Sequence, residues 1–153
     1  MLLANDEIIE FVLFHTDEIK NAIAEKRLDP CLPKSIGHGS KISDITAAAA
    51  LTNISEVPCV VVGYGPKING HGNAQVIKRP EMWLRVVEYI DEIYRNKPTE
   101  EFIRRRYRTG EEVNETCANM GISRTIYYAY KMDVIRAAEL YCVGNGLLPW
   151  KRT

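Results

Sequence analysis

The amino-acid sequence predicts a mainly α-helical fold, and three observations support this prediction. Apolar residues recur at helical spacing in two long segments, residues 5–30 and 81–95. Helix start and stop signals bound these segments and several shorter ones, with Asn, Ser or Thr before them and Pro or Gly after them. Residues that favour β-strands are concentrated in a single stretch, residues 57–78.

The length and composition are those of an ordinary soluble protein. A chain of 153 residues makes one domain or two small ones, and 46% hydrophobic with 26% charged residues is typical of globular proteins. The sequence has no apolar run of the roughly 20 residues that a membrane span needs. Its N-terminus is acidic, whereas a signal peptide begins with positive charge, so we expect a cytoplasmic protein without a membrane partner.

Residues 1–56 are predicted to form an N-terminal helical region. Asn5 is placed to cap a first helix that ends before Pro30, and Ser43 is placed to cap a second, alanine-rich helix. The first helix has more apolar side chains than one helix face needs, namely Ile8, Ile9, Phe11, Val12, Leu13 and Phe14. Two interpretations follow: self-association through this helix, or burial within the same chain.

Residues 57–80 are predicted to form a hairpin or a loop. Two β-favouring runs, at 59–62 and 74–77, flank a turn rich in Gly, Asn and Pro. An antiparallel β-hairpin and an irregular loop fit this pattern equally well.

The C-terminal part, residues 81–153, is predicted to begin with two helices. The first is strongly amphipathic. Its predicted buried stripe comprises Trp83, Val86, Val87, Ile90 and either Ile93 or Tyr94. Thr99 is placed to cap the second helix, which carries a run of arginines and ends at Gly110.

Residues 111–141 contain the parts of a helix-turn-helix. The pattern predicts a helix that ends near Asn119, a tight turn at Met120 and Gly121, and a second helix capped by Ser123. Glycine at the turn spares the backbone the penalty that other residues incur at positive φ. The same pattern also occurs in ordinary helical bundles, so the turn alone leaves DNA binding and plain packing open.

On a helical wheel, the tyrosines of the second helix divide between two faces. The stripe predicted to be buried comprises Tyr127, Tyr130, Val134, Ala138 and Tyr141. Tyr128 falls to its side, and the side chains predicted to lie opposite are Thr125, Ala129, Met132 and Arg136. An outward set of Arg, Thr and Tyr at the start of a recognition helix is suited to contacts in a major groove.

The charge distribution favours a polyanionic partner for this part of the chain. Residues 95–136 carry nine cations and six anions, whereas residues 1–30 carry three cations and seven anions. The predicted base-side residues are Arg124, Thr125, Tyr128 and Lys131, with Ser123 at the start of the helix. The predicted phosphate-side residues are Arg104, Arg105 and Arg108, beside Arg106. The alternative for these arginines is a solvated face with one or two of them paired to Glu100 or Glu101.

No catalytic or metal-binding pattern is evident in the sequence. The four cysteines and three histidines are scattered, without the spacing of a structural zinc site. No Ser/His/Asp set or paired-carboxylate motif stands out, so we expect neither enzymatic activity nor a cofactor.

The stretch "IRRRYRTGEEVNETCANMGISRTIYYAYKMDVI", residues 103–135, resembles a known family. It is similar to the C-terminal part of the phage RinA/ArpU-like transcriptional regulators, whose helix-turn-helix is similar to sigma-factor region four. The matching positions are Ile103, Arg106, Tyr107, Ala118, Met120, Ile122, Ser123, Arg124, Tyr127, Tyr128, Tyr130, Lys131 and Val134. The upstream stretch "GHGSKISDIT" also resembles a segment of that family, whereas Ile126 and Ala129 depart from its pattern.

The resemblance implies a sequence-specific DNA-binding transcriptional regulator, an activator of phage or prophage late genes in the cytoplasm of a bacterial host. Double-stranded DNA is the implied partner, and host RNA polymerase and a second copy of the chain are further candidates. Two alternatives stay open. One is a small terminase-like DNA-packaging protein, which forms a ring-shaped oligomer. The other is a protein-interaction module whose C-terminal helices bind a protein instead of DNA.

Overall fold

The computed structural model describes residues 4–28, 56–63 and 74–150. These residues form six α-helices, one π-helical segment and a two-stranded sheet, which confirms the predicted mainly α-helical fold. The helices are α1 (Asn5–Phe14), α2 (Thr16–Leu28), α3 (Pro80–Ile93), α4 (Pro98–Ile103), α5 (Val113–Met120) and α6 (Arg124–Gly144). The π-helical segment (Arg104–Thr109) continues α4, and the strands are β1 (Cys59–Val62) and β2 (Gln75–Lys78). The helix that Ser43 is predicted to cap lies outside the described residues.

The chain divides into two compact units. Unit 1 comprises Met1–Thr16 and Met82–Thr153, and unit 2 comprises Asp17–Glu81. This division differs from the predicted segments 1–56, 57–80 and 81–153, because α1 packs against α6 at the other end of the chain. The helix-turn-helix therefore shares its core with the N-terminal helix.

The N-terminal helical stretch is two helices, not the single predicted one. The break falls at His15, where the imidazole Nδ1 lies 2.8 Å from the carbonyl oxygen of Phe11. The hydroxyl of Thr16 donates to the carbonyl oxygen of Val12 at 3.0 Å. Side chains that bond nearby carbonyls in this way offer the backbone an alternative to continuing the helix. At the start, Ala4 is the N-cap and its N–H donates to the carboxylate of Glu7, so Asn5 is not the cap.

The apolar side chains of α1 are mostly buried within the chain. Those that are almost completely buried are Ile9, Phe11, Val12 and Leu13, whereas Ile8 and Phe14 are half-buried. Self-association through this helix therefore has little apolar surface to use, and that prediction is corrected. The structure instead shows the alternative, burial within the same chain.

The strands of unit 2 form the predicted antiparallel hairpin. Their register pairs Cys59 with Lys78 and Val60 with Ile77. Val60 and Ile77 are buried while the neighbouring Val61 and Val76 are exposed, as the alternation of side chains along a strand requires. The hairpin therefore has one buried face and one exposed face. The alternative prediction of an irregular loop is excluded for residues 59–62 and 75–78.

Helices α3 and α4 form part of the core of unit 1. The predicted buried stripe of α3 is confirmed for Trp83, Val86, Val87 and Ile90. Its predicted last member, Ile93 or Tyr94, is not confirmed, because both residues are only half-buried. Helix α4 begins at Pro98 with Lys97 as its N-cap, so Thr99 is not the cap but a buried residue of the first turn. Proline is well suited to the first helical position because its φ is already helical and its missing N–H would have no partner there. The π-helical segment ends as predicted at Gly110, whose φ of 77° is left-handed.

Candidate nucleic-acid interface

The helix-turn-helix is formed by α5, a short turn and α6. Helix α5 ends at Met120, one residue beyond the predicted end, and Gly121 follows in the left-handed conformation with a φ of 64°. The N–H of Ile122 donates to the carbonyl oxygen of Cys117 at 3.1 Å, which closes the turn. The hydroxyl oxygen of Ser123 accepts a hydrogen bond from the N–H of Ile126 at 3.2 Å. The predicted glycine turn and serine cap are both confirmed.

Replacing Gly121 with alanine should destabilise unit 1 by about 1–2 kcal/mol, the cost of a left-handed conformation for an ordinary residue. A Cβ at this position meets nothing within 4 Å, so the penalty comes from the backbone alone. Gly144→Ala is the matched control, because Gly144 also faces open space but has no positive φ. Alanine there should be neutral or stabilising. Urea denaturation measures both variants, and equal free energies of unfolding would contradict the prediction.

The tyrosines of α6 divide between core and surface, with two differences from the prediction, since Tyr130 and Tyr141 are both only half-buried. Tyr127 is fully buried, with its ring edge-on to that of Phe102 at 5.1 Å between centroids. Tyr128 is 47% exposed. Tyr130 is only half-buried, whereas Ile135, which lies outside the predicted stripe, is buried. The core face of α6 is wider than a narrow stripe because α1 and α4 both pack against it.

The first turns of α6 present an exposed face that contains most of the predicted base-side residues. Arg124, Thr125 and Tyr128 are all exposed there. The guanidinium of Arg124 donates to the side-chain oxygen of Asn114, which links the start of α6 to α5. Ile126 is also exposed, and the sequence-based set omitted it although it belongs to the same turn. Ser123 lies at the edge of this face, with its hydroxyl oxygen accepting the capping hydrogen bond.

The predicted phosphate-side arginines are engaged with carboxylates of unit 1. Arg105 contacts Glu101 at 2.8 Å and Glu111 at 2.9 Å. Arg108 contacts Asp91 at 3.0 Å. Arg104 lies 3.9 Å from Glu101 and keeps 60% of its side chain exposed. Its ion pair is therefore the weakest of the three. The alternative interpretation of these arginines, pairing with nearby acids, therefore holds for Arg105 and extends to Arg108 through a partner outside the predicted pair.

Lys131 lies apart from the other base-side candidates. Its ammonium group is 3.5 Å from the carboxylate of Glu10, and its side chain is only 25% exposed. The structure thus keeps Arg124, Thr125 and Tyr128 together on one surface but directs Lys131 toward α1. No pattern in the sequence indicates this contact, because Glu10 is more than 100 residues away along the chain.

Glu10 is the centre of a buried polar network, the Glu10 network, that also contains Arg106, Tyr107, Tyr127 and Lys131. One guanidinium nitrogen of Arg106 donates to the Glu10 carboxylate at 2.9 Å, and a second donates to the hydroxyl oxygen of Tyr127. The hydroxyl of Tyr107 donates to Glu10 at 3.2 Å. Arg106 is 7% exposed, so it cannot contact phosphate in this conformation, which corrects its predicted place beside the phosphate-side arginines.

Aromatic rings surround the Arg106 guanidinium on several sides. Its central carbon lies 5.2 Å from the ring centroid of Phe14, 5.3 Å from that of Tyr107 and 5.5 Å from that of Tyr127. Burial by itself lowers the pKa of Arg106, but the neighbouring Tyr107 and Glu10 raise it above its ordinary value. Burial also raises the pKa of the Tyr107 and Tyr127 hydroxyls. The network therefore holds the guanidinium of Arg106, the ammonium group of Lys131, two neutral phenols and one carboxylate.

The helix-turn-helix itself is not basic. From Glu111 to Lys131 it carries three carboxylates, those of Glu111, Glu112 and Glu115, and two cations, Arg124 and Lys131. Because Lys131 is turned toward Glu10, Arg124 is the cation that the exposed face of α6 offers to a partner near its N-terminus. Recognition by this face must therefore rely more on polar and apolar contacts than on charge.

Comparison of the chain with protein-family models, with curated proteins and with solved structures finds no match. Among the helices that the structure describes, none combines the length and the apolar character needed to cross a membrane.

Proposed function

We propose that the α5–turn–α6 motif binds double-stranded DNA and that the first turns of α6 form the recognition surface. The observation that carries this proposal is the exposed face of Arg124, Thr125 and Tyr128, which directly follows a glycine turn and a capped helix start. Recognition helices contact base edges with their N-terminal residues. The proposed role of this protein as an activator of phage late genes is based on the family resemblance alone.

Each residue of this face has a defined chemical role in the proposal. The Arg124 guanidinium donates to guanine O6 and N7 or to phosphate, and the Thr125 and Tyr128 hydroxyls donate to phosphate or base acceptors. Asn114 positions Arg124 from α5. The apolar side chain of Ile126, which is also exposed, suits the methyl groups of thymine.

Selection of bound fragments from a random DNA pool tests the proposal directly, since enrichment of one motif would support it and a pool without enrichment would oppose it. On the selected site, Arg124→Ala should weaken binding by about 1–3 kcal/mol if the guanidinium contacts a base. Arg95→Ala is the matched control, because Arg95 is an exposed arginine at the end of α3 that pairs only with Glu92. Equal losses for the two variants would contradict a specific role for Arg124.

The salt dependence of DNA binding should be modest for a helix-turn-helix protein. The positively charged segment 95–136 by itself predicts a steep dependence, but Arg105, Arg106, Arg108 and Lys131 are all committed to carboxylates. Of the predicted DNA-contacting cations, Arg104 and Arg124 are left to neutralise phosphates, so log affinity should fall with log salt at a slope of about −2, since each contact contributes about −0.9. Titrations at several salt concentrations measure the slope. A value steeper than about −5 would mean that the ion pairs open on DNA.

A second candidate function, binding of a protein partner through the same face, is favoured by a specific observation. Ile126 and Tyr128 leave large apolar areas exposed beside an acidic α5, which is unusual for a surface that meets phosphates. Under this alternative, the same purified protein binds no DNA in the selection experiment. Its binding to the protein partner would also change little with salt.

A further inference from the structure

The C-terminal half of α6 carries an exposed apolar stripe that the helix-turn-helix does not use. Met132, Arg136, Leu140 and Val143 follow one another at spacings of four, four and three residues, which places them on one helix face. Leu140 is 65% exposed and Met132 is 43% exposed. Trp150, which is 68% exposed, lies beside this stripe, and together they border an open cleft of about 390 Å³.

Charged groups without a partner of opposite sign line the same cleft. Among the described residues, Arg136 makes no hydrogen bond or ion pair, although it lies in the middle of the stripe. Glu139, one turn away, accepts a hydrogen bond from the Asn5 amide at 3.1 Å but pairs with no described cation, and Asp6 of α1 likewise pairs with none. Among the described residues, this surface thus combines apolar side chains with one cation and two carboxylates that have no partner of opposite charge.

We propose that this surface is an interface between two copies of the chain, arranged antiparallel about a two-fold axis. In such an interface each copy contributes the same patch, so the patch must be complementary to itself. An axis midway between Arg136 and Glu139 places Arg136 of each copy level with Glu139 of the other. The same register places Met132 level with Val143. Both charge and apolar character are therefore matched in one arrangement.

The size of the surface fits a reversible dimer. The stripe from Met132 to Val143 covers about three helical turns, which is small for a permanent interface. Trp150 enlarges it, since a buried tryptophan contributes on the order of 150–250 Å² of contact area. The first turn of α6 lies outside the paired region. The proposal does not rest on DNA binding and is tested without DNA.

Sedimentation velocity of the full-length chain over a concentration series provides the test. We expect the mass to rise from that of one chain to that of two, and Leu140→Glu to weaken the dimer roughly tenfold or more because it places a charge in the apolar centre. Val76→Glu is the matched control, because Val76 is an exposed apolar residue of the hairpin and should leave the dimer intact. A monomer at every concentration, a ring-sized mass, or equal effects of the two variants would overturn the proposal.

A charge exchange tests the predicted register. Arg136→Glu should weaken the dimer roughly tenfold, because it brings carboxylates of the two copies together. Combining Arg136→Glu with Glu139→Arg should restore it, since the pairs then form with reversed sign. Circular dichroism of each variant verifies that the helices remain folded, and Glu139→Ala verifies that loss of the hydrogen bond from Asn5 has no comparable effect on folding. Failure of the double variant to recover would exclude this register.

Discussion

Replacing Glu10 with alanine should destabilise unit 1 by about 3–5 kcal/mol, the cost of leaving a buried charge without its partner. Its partner Arg106 is almost completely buried, and its one remaining side-chain nitrogen, Nε, has no hydrogen-bond partner among the described residues. A guanidinium group keeps its proton in proteins, so Arg106 cannot escape the penalty by becoming neutral. Denaturation followed by tryptophan fluorescence measures the loss, because Trp83 is buried in the same unit.

Replacing Arg106 instead of Glu10 should lower the free energy of unfolding much less. Arg106→Met leaves a carboxylate that is 20% exposed and that still contacts Lys131, so the remaining charge is partly solvated and partly paired. Replacing both partners, as Glu10→Leu with Arg106→Met, should bring stability back near that of the original protein, as for other buried pairs exchanged for apolar residues. Glu88→Ala, at an exposed position of α3, is the control and should change stability by less than about 0.5 kcal/mol. Equal losses for Glu10→Ala and Arg106→Met would contradict this asymmetry.

Replacing Tyr127 with alanine should cost about 3–5 kcal/mol, as for other large aromatic residues removed from a core. A loss of this size is comparable with the whole stability of many small domains. Tyr127→Phe separates the two contributions of the side chain, because it keeps the ring against Phe102 and removes only the hydroxyl that accepts from Arg106. We expect that variant to lose about 1–3 kcal/mol, since a buried donor is left without its acceptor.

Tyr128, the neighbouring tyrosine, should differ from Tyr127 in its effects on both stability and DNA binding. Tyr128→Ala should change stability by less than about 0.5 kcal/mol, because the ring is exposed and touches Tyr127 only at its edge. It should nevertheless weaken binding to a selected DNA site. Tyr130→Ala should fall between the two, since its ring is half-buried against Phe102. Urea denaturation of all three variants, followed by DNA titration of those that fold, checks this order. A larger stability loss for Tyr128→Ala than for Tyr127→Ala would contradict it.

Local features of this fold could be predicted from sequence because they depend on residues close together in the chain. The serine cap of α6, the glycine turn before it and the buried stripe of α3 are all set within a few residues. The same is true of the pair between Arg105 and Glu101, which lie one helical turn apart. Propensity, periodicity and side-chain capping act over these short distances, so their patterns are visible in the sequence.

The partners of the other cations could not be predicted in this way. Arg106 and Lys131 both contact Glu10. Arg108 contacts Asp91 of α3, from which it is separated along the chain by α4. Helical wheels place a side chain on a face but contain no information about the distant element that covers the face. The break at His15 could not be predicted for a different, local reason, because the apolar pattern continues on both sides of it. Two of the three predicted phosphate-side arginines, Arg105 and Arg108, are therefore residues whose charges are already balanced.

The discontinuity of unit 1 has a consequence for synthesis of the protein on the ribosome. Helix α1 is made first, yet the helix it packs against begins only at Arg124, about 110 residues later. At translation rates of about 5–20 residues per second, α6 is synthesised roughly 5–20 s after α1, and the apolar side chains of α1 cannot pack against it before then. Helix α1 therefore has neither α6 nor the π-helical segment to pack against while all of unit 2 is translated. A fragment that begins at Met82 would lack α1 and Glu10 from the outset, and Arg106 would have no carboxylate to meet when the fragment folds.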